Sequence, residues 1–381
     1  MKEPMIVQSS IPPNFIDLGN GNPDINLLPL EMLQQSAERF FADGDRRSLQ
    51  YGLEQGDGYF REALADFLTT AYDTKVDSSA LFVTSGASSG LDLLCTLFAQ
   101  PGDTVFVEEP SYFLALRIFE DHGLRVVSIP IDEDGLNLDE LEGALAEYKP
   151  KLIYTIPTFQ NPSGRSLPQA RRDKLAALAQ KHNFLIAADE VYQLLPYTQT
   201  PPRAFAAMAE DVEQVVSVNS FSKILAPGLR LGWIQAHGSV IKRMAGSGLL
   251  ESGGGMTPYT SALVRGLIED GGLERNISRL RKEYAVRLRA MDAALHQYLP
   301  AAEYALPHGG FFFWVRLPGA NAAELRSQAQ RFEVGLRQGD LFSSRNGLQD
   351  YVRLSFSYYR PEAIEEGVKR LGDCVRFGRD N

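Results

Sequence analysis

Residues 151–190 read KLIYTIPTFQNPSGRSLPQARRDKLAALAQKHNFLIAADE, and the order of patterns in this stretch decides the fold class. KLIYTIP and FLIAADE are apolar runs of strand length. Between them, residues 171–182 place Leu175, Leu178 and Ala179 on one face of a helix. Strand, amphipathic helix and strand in that order make a βαβ unit, in which the two strands lie parallel. The alternation extends outward from there. LFVTSG, VFVEEP and RVVSIP precede the unit from about residue 80, and QVVSVNS and LGWIQA follow it. This predicts an α/β fold with a mostly parallel seven-stranded sheet sandwiched by helices. LGWIQA follows QVVSVNS too closely for a crossover helix, so it is expected to run antiparallel.

After residue 260 the pattern changes. Ile277, Leu280, Tyr284, Leu288, Met291, Leu295 and Tyr298 step by three and four, which predicts one long helix. Its arginines fall on the other face and read as solvated. GGFFFWVRLP and DYVRLSFSYY are strand-like and enclose a helical stretch at 322–332, which suits a smaller α+β domain. The expected division is an N-terminal segment, 1–40, packing with the small domain, a large domain, 41–275, and a small C-terminal domain, 276–381.

The chain has 381 residues, 44% of them apolar, enough for a globular protein with a sizeable core. Lysine and arginine number 38 against 48 acidic residues, a net charge of −10, which argues against a nucleic-acid-binding face. No apolar stretch is long enough to span a membrane, and MKEPMIVQSSIPP lacks the apolar core of a secretory signal. Two cysteines, Cys95 and Cys374, form neither a disulfide framework nor a zinc pattern and suit a cytoplasmic protein. Cys95 shares a helical face with Leu91, Leu94 and Phe98 and reads as a buried, inert thiol.

In open α/β sheets ligands bind beyond the carboxyl ends of the strands. Several chemically suggestive residues fall at such ends. TSGASSG (84–90) follows a strand and opens a helix, so its backbone N–H groups can hold a phosphate or simply cap the helix. Asp189 ends an apolar strand, where it can hold a proton on a heterocyclic nitrogen or form a structural ion pair; Tyr192 follows three residues on. Asn161, before Pro162, marks a turn whose amide can reach a phenolate oxygen. Tyr112 in EEPSYF can stack on a flat ring or fill the core. In SFSKILAPGLRLGW, Lys223 can form a Schiff base if burial and a nearby cation such as Arg230 lower its pKa. Ser220, Ser222 and Arg230 can hold a phosphate, and the alternative for Lys223 is an ordinary turn lysine. Arg353 alternates away from Val352, Leu354 and Phe356, so it faces either water or a cleft where it grips a carboxylate.

An aldehyde anchor, a phosphate cup, a ring stacker, a partner for a pyridine nitrogen and a carboxylate clamp together match pyridoxal 5′-phosphate (PLP). The same residues in the same order resemble the class I/II aminotransferases of PLP fold type I, from IDLGNGNPD to RLSFSYY, most specifically in SFSKILAPGLRLGW. LQYGLEQGDGYFREALADFL is similar to a further segment of the family. The resemblance implies that Lys223 carries PLP, Asp189 pairs with the pyridine nitrogen, and Tyr192 and Asn161 meet the ring oxygen. It further implies that Tyr112 stacks on the ring, while Ala87, Ser88, Ser220, Ser222 and Arg230 bind phosphate. Arg353 takes the substrate α-carboxylate. Gly19 lies in the segment covering the substrate, and Asn161 also borders it. The family implies a homodimer in which Tyr51 reaches the phosphate of the other subunit.

QNPSG and SGGGMTP most resemble the aminoadipate- and kynurenine-type branch, which includes the aminotransferase half of certain winged-helix regulators; no DNA-binding domain is expected to precede it here. Residues 11–33 contain no lysine or arginine, against a dedicated acidic preference, and Leu27 and Leu28 suit neutral donors. The expected reaction is transamination between an L-amino acid and a 2-oxo acid, 2-oxoglutarate by family habit, in ping-pong fashion through pyridoxamine phosphate. Lys223 is the expected acid–base group at Cα. A PLP-dependent β-lyase and a non-enzymatic PLP or amino-acid sensor are the alternatives.

Overall fold

The computed structural model describes residues 11–380, so residues 1–10 of the N-terminal segment lie outside the described residues. The first strand, β1 (Ile16–Asp17), finds its partner only near the other end of the chain. The main sheet then gathers β2 (Leu81–Thr84), β3 (Thr104–Glu109), β4 (Arg125–Asp132), β5 (Gly135–Leu136), β6 (Pro150–Thr155), β7 (Leu185–Asp189), β8 (Val215–Ser220) and β9 (Gly232–Ala236). Their spatial order is β2-β9-β8-β7-β6-β3-β4-β5.

All seven expected runs are strands of this sheet. The sheet has eight strands rather than seven because β5 folds back on the end of β4, with Leu136 opposite Ile131. A two-residue strand carries no periodicity to read. β3, β4, β6, β7 and β8 pair in parallel, and β9 runs antiparallel to both β2 and β8, as its short connection requires. Ile186, Ala187 and Ala188 are all buried, which explains why β7 reads as a continuous apolar run rather than an alternating one. The parallel strands deliver Thr155, Asp189 and Ser220 to one edge. β2 ends at the same edge and β9 begins there, with Thr84 opposite Gly232 and Gly232 opposite Ser220. Cys95 is buried in the helix Ala87–Phe98, and burial pushes its thiol up to about 12.

The second unit is a three-stranded antiparallel sheet with β13 (Tyr351–Ser355) between β10 (Phe312–Arg316) and β12 (Arg337–Gln338). β11 (Val334–Gly335) pairs in parallel with β1, so the N-terminal segment joins this unit through backbone hydrogen bonds. The long helix is Gly272–Tyr298, and the C-terminal helix Pro361–Asp380 packs along it. Among the described residues, no helix is long and apolar enough to cross a membrane.

The arginines of the long helix correct one expectation. Arg287 is buried: its Nη2 donates to Asp24 Oδ2 (2.6 Å) and its Nη1 to the Ser357 carbonyl (2.7 Å). Arg279 donates to the Leu27 carbonyl (2.5 Å), and Arg281 to that of Leu194 (2.9 Å). These side chains tie irregular backbone to the helix, and carbonyls hidden from water need such donors. Hydropathy stepping does not reveal them. Leu27, considered as a pocket wall, packs into the hydrophobic core.

Asp24→Ala strands the Arg287 charge inside the protein. The expected loss is about 3–5 kcal/mol in denaturant unfolding. Adding Arg287→Met should recover most of it. An unchanged midpoint in Asp24→Ala would show that this pair does not hold the segment.

Candidate active site

Asp189 is the last residue of β7. Its Oδ2 accepts a hydrogen bond from the Tyr154 hydroxyl (2.8 Å), while its buried Oδ1 has no hydrogen-bond partner. Tyr154 lies opposite Ala187, two residues before Asp189, and therefore on the same face of the sheet. Burial pushes the Asp189 carboxyl up to about 6, against the Tyr154 hydrogen bond, the Val191 backbone N–H and the Lys223 charge.

Lys223 sits in the turn after β8. The Phe221 N–H donates to the Leu231 carbonyl (3.0 Å), and the buried Asn276 amide donates to the Ile224 carbonyl (2.8 Å), which fixes the backbone on both sides of the lysine. Lys223 Nζ donates to the Gly21 carbonyl (3.3 Å) and lies 5.3 Å from the Phe311 ring centroid. Burial, then the Arg353 charge, lower its pKa to about 8, with Asp189 opposing. The influential cation is thus Arg353 and not Arg230, as expected from spacing. Arg230 turns instead to the carbonyls of Ser85 (3.1 Å) and Pro227 (3.2 Å).

That orientation puts Arg230 in a cup. Ser220 Oγ donates to Ser222 Oγ (2.8 Å) and accepts from the Ser222 N–H (3.1 Å). Ala87 and Ser88 open the helix Ala87–Phe98, whose first-turn N–H groups have no partner within the helix. Gly86, at φ +89, is the residue before it; a Cβ there would stand 2.8 Å from Arg230 Nη2. A Cβ on Gly232 would meet the Asn219 carbonyl at 2.5 Å. Backbone therefore approaches closely from β2, β8 and β9, as a cradle for an anion requires.

The opposite wall comes from loops and from the second unit. Arg353, undecided by sequence between water and a cleft, is 4% exposed. Its Nη1 donates to Asn161 Oδ1 (3.0 Å) and its Nη2 to the Gly19 carbonyl (2.9 Å). Its guanidinium lies over Phe312, 4.1 Å from the ring centroid. Since Asn161 Oδ1 is engaged by Arg353, its Nδ2 is the atom left to donate elsewhere. Tyr192 is buried edge-on against Phe311 and Phe312. Tyr112 caps the helix Phe113–Asp121, and burial, with the Asp189 charge, pushes its hydroxyl up to about 12. Tyr51 is not brought to this cluster: it is 84% exposed, beside exposed Leu49 and Leu53.

Reading the sequence missed Tyr154, Asn276 and the phenylalanines 311 and 312. Register between β6 and β7 would have indicated Tyr154. The others depend on how the two units meet.

The residues fit PLP on structural grounds. Asp189 has an unpartnered oxygen, Lys223 is biased toward the neutral amine, and the glycine-lined cup carries hydroxyls and a guanidinium. In the cofactor-free protein, Lys223 should titrate near pH 8, measured by pH-dependent reductive methylation. Arg353→Met should raise that midpoint, because a like charge is removed, and Asp189→Asn should lower it. A folded pKa below the ordinary 10.5 means that this group makes the fold gain stability as pH rises from about 8 to 10.5. A midpoint near 10.5 would remove Lys223 from its buried, cation-flanked setting.

Comparison with known proteins agrees with this arrangement. Residues 13–371 match the family described as aminotransferase class I and II. The chain is 32% identical to an aromatic-amino-acid aminotransferase of Thermococcus litoralis, over 95% of this chain and 88% of that one. It is 30% identical to a 2-aminoadipate transaminase of Thermus thermophilus, over 96% and 91%. Its structure superposes on a Pyrococcus horikoshii kynurenine aminotransferase crystallised with PMP, with a TM-score of 0.90 at 31% identity, covering 96% and 91% of the two chains. The chain belongs to the class I and II aminotransferases, PLP enzymes of fold type I, on the branch of the aminoadipate and kynurenine enzymes.

Proposed function

We propose that the enzyme transfers an amino group from an L-amino acid to 2-oxoglutarate by a ping-pong reaction, as a homodimer. The observation that carries this reading is the combination of an Asp189 oxygen without a hydrogen-bond partner among the described residues and a lysine amine whose pKa is lowered to about 8. When bound, PLP supplies an aldehyde that exchanges amines and a ring that accepts the Cα–H electron pair, cycling between pyridoxal and pyridoxamine forms.

The protein's own groups have separate tasks. Asp189 holds a proton at the ring nitrogen through Oδ1, with Tyr154 fixing the carboxylate plane. Arg353 grips the substrate α-carboxylate, with Asn161 and Gly19 holding its fork in place, and so orients the Cα–H bond. With the cofactor bound, Lys223 would take the Cα proton as a neutral amine and then serve as the general acid that gives it up again. Tyr192 and Asn161 Nδ2 donate to the ring oxygen, and Tyr112 stacks on the ring. Ala87, Ser88, Ser220, Ser222 and Arg230 hold the phosphate. Tyr51 completes the cup of the other subunit, which accounts for a bulky aromatic lying 84% exposed on one chain. Of the segment 1–40, the described residues 11–40 cover the site between the parts 41–275 and 276–380.

Lys223→Ala should lose the visible absorbance of lysine-bound cofactor. Asp189→Asn, which still accepts from Tyr154, should lower turnover by about 10²–10³, the scale for one electrostatic contact in a buried site, with little change in unfolding. Wild-type turnover in Asp189→Asn would sink the reading. In analytical ultracentrifugation the enzyme should sediment as a dimer, and Tyr51→Phe should release the cofactor more readily. A monomer with full activity would remove Tyr51 from the site.

A further inference from the structure

β12 and β13 run antiparallel with Arg337 directly opposite Arg353. Residues paired in this way project from one face, with Cβ atoms about 4.5–5.5 Å apart, and like charges so placed destabilise a sheet. Here both positions are arginine. Burial, and to a lesser extent the Arg337 charge, hold the Arg353 guanidinium below its ordinary value, at about 10. Arg353 has Asn161 and Gly19 as hydrogen-bond partners. Among the described residues, Arg337 has only a loose ion pair with Asp17, whose nearest oxygen is 3.6 Å away, beyond hydrogen-bond reach.

Asp17 is itself engaged, since its Oδ1 accepts from the Gly19 N–H (2.9 Å). Arg337 also lies against Gly19: a Cβ there would stand 2.9 Å from Arg337 Nη1. Two guanidiniums therefore flank one glycine, Arg353 at its carbonyl and Arg337 at its α-carbon. The Arg337 side chain is 31% exposed.

We propose that Arg337 binds the distal carboxylate of a five-carbon dicarboxylate, glutamate or 2-oxoglutarate, while Arg353 holds its α-carboxylate. The assignment rests on the aminotransferase reading of the site. A second carboxylate relieves the repulsion between the arginines and gives Arg337 the bidentate partner that Asp17 does not provide. A substrate without that carboxylate leaves Arg337 with Asp17, so one pocket serves both dicarboxylates and neutral donors. Residues 11–33 hold no lysine or arginine, so this charge comes from the small domain.

The test uses the PLP-loaded enzyme and two unreactive ligands, glutarate and 4-methylpentanoate, with dissociation constants read by calorimetry. Arg337→Gln should weaken glutarate at least tenfold and leave 4-methylpentanoate unchanged. Its kcat/KM should fall by a similar factor with glutamate and stay level with leucine. Asp17→Asn keeps an acceptor for the Gly19 N–H and frees Arg337, so glutarate should bind more tightly. Arg337→Gln should unfold no earlier than wild type, because a like-charge contact is gone. Should it fail to fold, Arg337→Lys decides: it keeps the charge but loses the fork, and should weaken glutarate severalfold with 4-methylpentanoate unchanged. Equal glutarate binding in wild type and variant, or equal weakening of both ligands, would overturn the assignment. If wild type turns over no amino acid while glutarate selectivity still follows Arg337, the functional reading fails and this binding site stands.

Discussion

Everything at the site depends on desolvation at the carboxyl edge of the main sheet. There a carboxylate and an amine are taken out of water close enough to feel each other. Burial alone drives Asp189 toward the neutral acid and Lys223 toward the neutral amine. Each charge opposes the shift of the other, and Tyr154 adds its hydrogen bond on the side of the carboxylate. The outcome is a base without the full charge of an ordinary lysine, and an acid whose free oxygen awaits a proton-bearing partner. Neither state is available to these side chains on an open surface.

The surrounding structure serves that condition. Parallel pairing from β8 to β3 brings three strand ends to one line, and β9 closes against β2 and β8 so that glycine backbone forms the anion cup. The small sheet supplies Arg353 from β13, a strand with neighbours on both sides, which fixes where the guanidinium is rooted. Asn161 and Gly19 then set its fork. Asn276 reaches from the long helix to the carbonyl beside Lys223, so the lysine's own backbone is held from the side of the small unit.

The sheet was legible in sequence because a strand buried on both faces leaves a short apolar run between helices; six of the seven runs are such strands, and β4, only partly buried, still carries an apolar run. β5 was not, since two residues make no pattern. Lys223, Asp189 and Arg353 were legible as chemistry because each breaks an apolar context at a strand end or within a strand. Tyr154 looked like one more apolar residue of its strand; only pairing with β7 puts its hydroxyl on Asp189. The arginines of the long helix were misread for a related reason. Spacing separates the apolar stripe from the rest of a helix, but it does not tell which polar side chains reach back to buried carbonyls, as Arg279 and Arg287 do. The identity of the cation beside Lys223 likewise depends on a contact between units 130 residues apart.

The N-terminal segment is held to the small unit at many points. β1 zips to β11, Asp24 meets Arg287, and the Gly19 carbonyl accepts a hydrogen bond from Arg353. Toward the main sheet, the amine of Lys223 reaches it at the Gly21 carbonyl, the very atom whose donor the chemistry must recruit. Once that amine is drawn away, the cover loses this one anchor to the lysine and keeps those to its own side. The roof over the pocket is thus hinged to the wall that holds the carboxylate clamp, and the two should swing together.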